Sequence, residues 1–230
     1  MNRKKIKGTY VYYNEKDTTD FYTRIMESDY SVMKTLKDDQ RSLVQLIRIN
    51  GKRYIYKIPR EKNRRKWQRF ISIFRGGESM RECAQLEKIV LNGFNAPKPY
   101  LAAEKKVFGM TVDSFSVSEY IESREGQKED IDIICHTLKQ IHGKGFLHGD
   151  SQIQNFLVAD GRIYLIDCKL SKNIYGKFGE AYEYIYLEES CLLDLKNYVD
   201  KNSFFFKTAL MFNKYLRGWM RFKKKIRNKG

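Results

Sequence analysis

Residues 146–167 read FLHGDSQIQNFLVADGRIYLID, and the fold turns on this stretch. It holds a His-Gly-Asp triplet at 148–150, an asparagine at 155, an Asp160-Gly161 turn, and an apolar run that closes on Asp167. Phosphoryl transfer to a hydroxyl asks little covalent chemistry of a protein. It needs a carboxylate to orient the hydroxyl and take its proton, and oxygen ligands for the Mg²⁺ on the phosphates. Asp150 is expected as the base, with Asn155 and Asp167 as the metal ligands, because Mg²⁺ favours hard oxygen donors. A triplet with an asparagine at plus five is short enough to arise by chance. An aspartate ending a β-like run after an Asp-Gly turn is the structural context that gives such a motif meaning.

Upstream, VMKTLK (32–37) and SLVQLIRI (42–49) read as strands around the polar turn DDQR, and KRYIYKI (52–58) follows Asn50-Gly51. Asn-Gly between two β-rich runs is a strong hairpin signal, because a type I′ turn needs positive φ at both central positions. Lys57 on the third strand is placed to reach the α- and β-phosphates of ATP, although a lone strand lysine is more often merely solvated. Residues 62–75 and 78–92 read as helices. In the second, Met80, Cys83, Leu86, Ile89 and Val90 recur at helical spacing, Gly93 ends it, and Pro97 and Pro99 enforce an extended exit. Glu82 beside that apolar stripe is the preferred partner for Lys57, with Glu78 and Glu87 as alternatives. Residues 100–104 and 115–121 read as two more strands. SVSEYIES (116–123) fits a joining segment, in which backbone groups of Glu119, Tyr120 and Ile121 are expected to meet adenine.

After about residue 125 the pattern turns helical: 131–145 as an amphipathic helix closing at glycine, a short strand at 162–167, then helices at 183–198 and 203–226. The expected architecture is α+β and two-lobed: a β-rich N-lobe over 1–122 that binds nucleotide phosphates, and a mainly helical C-lobe over 123–230 with the catalytic loop. The four aspartate, asparagine and lysine groups are expected to converge in the cleft between the lobes.

The bulk composition is compatible with this. The chain has 230 residues, 42% of them hydrophobic and 14% aromatic, which suits a folded domain or two small lobes and argues against disorder. No apolar run is long enough for a transmembrane helix, and the basic N-terminus lacks an apolar signal core, so a cytoplasmic location is expected. Cys83, Cys135, Cys168 and Cys191 form no CxxC pair or metal-ligand spacing and are expected as reduced, partly buried thiols. The net charge of +16 predicts an anionic partner. It is concentrated: residues 201–230 carry ten Lys or Arg and no acid, and 60–69 carry six against one acid. The C-terminal stretch reads either as a packed helix with a solvated basic end or as a contact for an anionic inner-membrane surface. No nucleic-acid-binding signature accompanies the charge, and a monomer is expected.

The chain resembles the protein-kinase-like superfamily that includes aminoglycoside phosphotransferases and lipopolysaccharide sugar kinases, and within it the lipopolysaccharide core heptose kinase family. The resemblance lies in the Lys57 strand, NGFNAPKPYLAAEKK (92–106), SEYIES, IHGKGFLHGDSQIQNFLV and the lysine-rich C-terminus. It implies ATP with Mg²⁺ as cofactors and the anionic lipopolysaccharide core as partner and substrate. The sequence departs from the family at Gln152, where a histidine is usual, and at Asp167-Cys168-Lys169, where glycine usually follows the aspartate; Lys169 is a candidate for the missing charge. No glycine-rich lid stands between the first two strands. Two other readings stay open: a kinase of this fold acting on a Kdo sugar, an aminoglycoside or a protein, and a basic binding module without catalysis. The lack of an APE-like element between Asp167 and about residue 190 counts against a protein kinase.

Overall fold

The Asn50-Gly51 turn explains much of the N-terminal architecture. Both residues have positive φ, 49° and 76°, and they join the strands Leu43–Ile49 and Lys52–Ile58 in a tight antiparallel hairpin. The computed structural model describes residues 1–14, 19–61 and 66–227, and the chain divides into two compact units, Met1–Glu122 and Ser123–Gly230.

Among the described residues, the first unit carries strands β1 (Asn2–Ile6), β2 (Thr9–Tyr13), β3 (Ser31–Asp38), β4 (Leu43–Ile49), β5 (Lys52–Ile58), β6 (Pro99–Val107) and β7 (Met110–Glu119). All pair antiparallel in one sheet, in the order β1-β2-β6-β7-β5-β4-β3. Helices α1 (Thr19–Met26), α2 (Lys66–Arg75) and α3 (Glu78–Leu91) complete it. Side chains alternate along a strand. Tyr54 and Tyr56 of β5 therefore enter an apolar cluster with Tyr22 and Ile25 of α1 and Phe115 and Val117 of β7. Lys57 points to the opposite face. Tyr54 and Phe21 meet edge-on at 4.8 Å, and burial raises the Tyr56 phenol. Helix α3 packs on β6 and β7, burying Cys83, Leu86 and Ile89.

The three early strands and the helix at 78–92 match the sequence reading closely. The helix expected at 62–75 is seen from Lys66; residues 62–65 lie outside the described residues. Two elements differ from expectation. The basic N-terminus forms the β1–β2 hairpin, turning at Lys7-Gly8 with φ of 44° and 83°, and β2 extends the sheet along β6. The expected strands 100–104 and 115–121 belong to the longer hairpin β6–β7, closed by Phe108-Gly109 with positive φ at both positions, and the second of them ends at Glu119, short of Tyr120 and Ile121.

The second unit is built on α4 (Ile131–Gly143), which buries Ile134, Cys135, Leu138 and Ile141. Short strands β8 (Arg124–Glu125), β9 (Phe146–Leu147), β10 (Phe156–Ala159), β11 (Arg162–Leu165) and β12 (Ser171–Lys172) precede α5 (Gly176–Cys191) and α6 (Phe204–Arg227). The expected strand over 162–167 ends at Leu165. The helix expected at 183–198 is displaced: it begins at Gly176 and stops at Cys191, where Leu192 turns left-handed at φ 57° and the Glu188 side chain accepts the Leu195 N–H at 3.1 Å. Helix α6 packs on α5 through Phe206 and Ala209 against Ala181 and Ile185. Among the described residues no helix is long and apolar enough to cross a membrane.

Candidate active site

The predicted site residues divide between the units: Lys57, Glu82 and Glu119–Ile121 in the first, Asp150, Asn155 and Asp167 in the second. In the first, antiparallel register puts Lys57 in the middle of the sheet, opposite Val44 on β4 and Ser116 on β7. Its Nζ meets Glu82 Oε1 of α3 at 2.8 Å, with both side chains about a quarter exposed. Of the two alternative acids, Glu78 pairs with Arg81 at 3.4 Å and Glu87 faces the N-terminal ammonium at 3.5 Å. At the end of β7, the Glu119 N–H donates to Lys98 O at 2.8 Å and the Glu119 carboxylate accepts the Lys98 N–H at 3.0 Å. The guanidinium of Arg53 lies over the Tyr120 ring at 4.8 Å. The DDQR turn closes on itself: Asp39 Oδ1 accepts the Arg41 and Ser42 N–H groups at 2.8 Å each, and the Ser42 contact leads in holding the Asp39 carboxyl below its usual range.

In the second unit, Asp150 sits half-buried in the loop between β9 and β10. Asn155 Nδ2 donates to the Asp150 carbonyl at 2.8 Å, fixing the amide so that its Oδ1 points elsewhere. Gln152 Nε2 donates to Asp150 Oδ1 at 2.9 Å and steadies the carboxylate. Asp167 follows β11, the strand paired with β10. The Ile166 N–H donates to Asn155 O at 3.1 Å and the Lys169 N–H donates to His148 O at 2.8 Å. The chain is thus tied to the loop on both sides of Asp167, which itself adopts a left-handed φ of 49° and is exposed. Gly149 has φ +88°, a backbone conformation that favours glycine, and a Cβ there would lie in tight contact, 3.1 Å from the Lys169 Cβ.

What holds the loop is a residue that sequence reasoning missed. Glu183 of α5 is buried, and its carboxylate accepts the N–H groups of Gly149 at 2.6 Å and His148 at 3.0 Å. His142 Nε2 lies 2.9 Å from the same carboxylate, and Ser151 Oγ donates to the Glu183 carbonyl at 2.8 Å. One turn or two further along, Ser190 Oγ accepts the Ile153 N–H at 2.9 Å. A buried carboxylate is stable only when paired and hydrogen-bonded, and here the loop backbone supplies the donors. The available signal was an acid inside AYEYIYL, at helical spacing with residues that turn out buried. His148 itself is fully buried against Phe156, with ring centroids 4.8 Å apart; burial pushes its imidazole down to about 4, so it is neutral. Neutral imidazole Nδ1 accepts the Asp150 N–H at 3.4 Å.

The donor set suits a hard cation. Asp167 offers a carboxylate and Asn155 an amide oxygen turned away from its own hydrogen bond, the oxygen-only ligation that Mg²⁺ prefers. Among the described residues no group of three or more His, Cys, Asp or Glu is placed to hold a metal ion. All four cysteines are buried and none is in a disulfide, and burial raises the thiols of Cys83, Cys135 and Cys191, which disfavours their thiolate form.

Comparison with known proteins finds relatives that span most of the chain. A lipopolysaccharide core heptose(II) kinase, WaaY, of Escherichia coli is 25% identical over 175 residues, 71% of this chain and 75% of its own. The protein of the same name from E. coli strain K12 is 25% identical over 232 aligned residues, 96% of each chain. Among solved structures, that of WaaP in complex with acyl carrier protein superposes with a TM-score of 0.55 at 15% identity, covering 94% of this chain and 98% of that one. The fold is α+β and kinase-like, with an antiparallel sheet in the first unit and mainly helices in the second. Matched over residues 1–229, the chain belongs to the WaaY family of lipopolysaccharide core biosynthesis proteins.

Proposed function

We propose that the protein is an ATP-dependent kinase that transfers the γ-phosphate to a heptose hydroxyl of the lipopolysaccharide inner core. The observation that carries this reading is the loop 148–155, in which a half-buried aspartate is set by an amide on one side and a carboxylate-anchored backbone on the other. Asp150 orients the heptose hydroxyl and takes its proton while the hydroxyl oxygen forms a bond to the γ-phosphorus. The bond from that phosphorus to the bridging oxygen breaks, and ADP leaves. Lys57, held by Glu82, binds the α- and β-phosphates, and the Glu119–Ile121 backbone meets the adenine edge. Asn155 and Asp167 would hold Mg²⁺, which when bound offsets the charge of the phosphates. Gln152 brings a hydrogen-bond donor but no charge to the loop, and Lys169, whose stem lies along Gly149, supplies the cation.

The experiment is mass spectrometry of core oligosaccharide from cells with and without the gene, paired with transfer from ATP by the purified protein. Loss of one phosphate on a heptose is expected. An unchanged phosphate count rules out the assignment.

The substrate is an anionic glycolipid, and α6 is suited to meet it at the cytoplasmic face of the inner membrane. Met211, Tyr215, Trp219 and Phe222 are exposed along one stripe of the helix, Lys207 and Lys214 flank it, and Lys223 lies over the Trp219 ring at 5.1 Å. An exposed apolar stripe beside lysines is the pattern of an interfacial helix, and each Lys or Arg near an anionic surface contributes about 1 kcal/mol. Flotation with phosphatidylglycerol vesicles is expected to capture the protein in a salt-sensitive way, and the Tyr215→Ser/Trp219→Ser variant is expected to lose capture. Equal flotation of both rejects the membrane role.

A further inference from the structure

Beside the loop, within the second unit, lies a pocket of about 470 Å³ lined by Gln152, by Tyr186 and Glu189 of α5, and by Arg217, Met220 and Arg221 of α6. The size is that of a small-molecule site. Gln152 is shared: it lines this pocket and also donates to Asp150 Oδ1 at 2.9 Å, so the pocket adjoins the carboxylate assigned as base. Arg217 and Arg221 stand one helical turn apart on α6 and put two guanidinium groups on one side of the space. Arg217 is fixed by an ion pair with Glu189, which also accepts Asn213 Nδ2 at 2.8 Å. Among the described residues Arg221 has no carboxylate partner, so the lining carries one uncompensated guanidinium beside one held rigid. Tyr186 and Met220 add the apolar surface on which the C–H face of a sugar ring packs. Planar guanidinium groups in this arrangement recognise phosphate or carboxylate by paired hydrogen bonds.

We infer that this pocket is the acceptor subsite: it holds a phosphate- or carboxylate-bearing sugar unit of the glycolipid, with Arg221 on the anion and Gln152 linking the bound sugar to Asp150. The inference rests on the kinase reading above and names the part of the molecule that selects the acceptor. Arg217 acts as a positioning residue that narrows the space in which Arg221 and its ligand meet.

The test uses the full chain, ATP, and deacylated core oligosaccharide from cells lacking the gene, supplied intact, enzymatically dephosphorylated, or carboxyl-reduced. Arg221 is exposed, so Arg221→Ala leaves the packing of α6 on α5 in place, which a melting curve checks. Arg221→Ala is expected to raise the KM for intact oligosaccharide about tenfold or more, as befits a lost charge-assisted contact, with the KM for ATP within about twofold. Removing the recognised anion is expected to raise the wild-type KM by a similar factor and the variant's by less than about twofold, because the two losses are the same contact. The arm that does so identifies phosphate or carboxylate as the source. An acceptor KM unchanged in Arg221→Ala, a parallel rise in the KM for ATP, or a wild type indifferent to both removals overturns the subsite while leaving the kinase reading intact. A wild type that transfers no phosphate to any form overturns both.

Discussion

Asp150 and Lys57 are both assigned to phosphoryl transfer, yet they are held in opposite ways. Asp150 sits in a loop of irregular backbone, and that loop is pinned from within by the buried carboxylate of Glu183 through two short backbone contacts. Lys57 sits within a regular sheet, and an ion pair to Glu82, about a quarter exposed at each end, orients it. A sheet strand needs no help to hold its course, because its register is set on both sides by neighbouring strands. A catalytic loop has no such ladder, and buried polar groups take its place. The contrast predicts that damage to the loop's support costs stability as well as activity, whereas damage to the lysine costs activity alone.

The sharpest way to break the comparison is Asp150→Ala. Loss of a positioned general base is expected to lower kcat by about 10²–10⁴-fold. Nucleotide binding and melting temperature should survive, since Asp150 carries no part of the Glu183 network through its carboxylate. Equal loss of turnover and nucleotide binding would contradict its role. Next comes Glu183→Ala, which strands two loop N–H groups and is expected to cost about 3–5 kcal/mol, or roughly 10 °C in melting temperature for a chain of this size. Glu183→Gln, which keeps an acceptor, should fall between it and the wild type. A Glu183→Ala protein as stable as the wild type would remove the distinction between loop and strand.

The third effect is one of pH. His148 stays neutral in the fold, with its pKa pushed down to about 4 by burial, while the unfolded imidazole takes up a proton below about 6.5. Between those values the unfolded chain binds the extra proton, so stability falls as pH drops from about 6.5 towards 4, by about 3 kcal/mol in all. Urea midpoints at pH 7 and pH 4.5 measure it, with the wild type compared against His148→Phe, whose pH slope over this window should be shallower. The smallest effect is on the other side of the comparison. Lys57→Met should change stability by no more than about 1 kcal/mol, the ordinary worth of a partly exposed ion pair, while kcat/KM for ATP falls by at least about tenfold. A melting temperature lowered as far as in Glu183→Ala would show that the sheet depends on this pair after all.

The same contrast explains what could be read from the chain beforehand. Strands β4 and β5 were legible because Asn50-Gly51 dictates its turn locally, and the Lys57–Glu82 pairing followed from strand position and helical stripe. The loop was legible as a motif, since Asp150, Asn155 and Asp167 stand at short fixed spacings. Its anchor was not, because Glu183 meets the loop across 34 and 35 residues of chain and nothing in local spacing records such a contact. The β1–β2 hairpin escaped for a related reason. Its first strand, NRKKI, is almost wholly exposed and polar, so it shows no apolar alternation, and Lys7-Gly8 is a less distinctive turn than Asn-Gly. Helix α5 was misplaced because its apolar residues are spread around the cylinder, with Ala181, Tyr184, Ile185 and Leu187 all buried; a stripe is then no guide to where the helix begins or ends.

All four cysteines lie below the surface, and burial moves the thiols of Cys83, Cys135 and Cys191 away from their reactive form. Maleimide probes should therefore find almost nothing to modify while the chain is folded. A cysteine introduced at an exposed position, such as Phe108 on the β6–β7 turn, becomes a unique attachment point for a fluorophore or spin label without prior removal of native thiols. The chain is in this respect ready for distance measurements in solution, and progressive labelling of the native four would in turn serve as a clock for its unfolding.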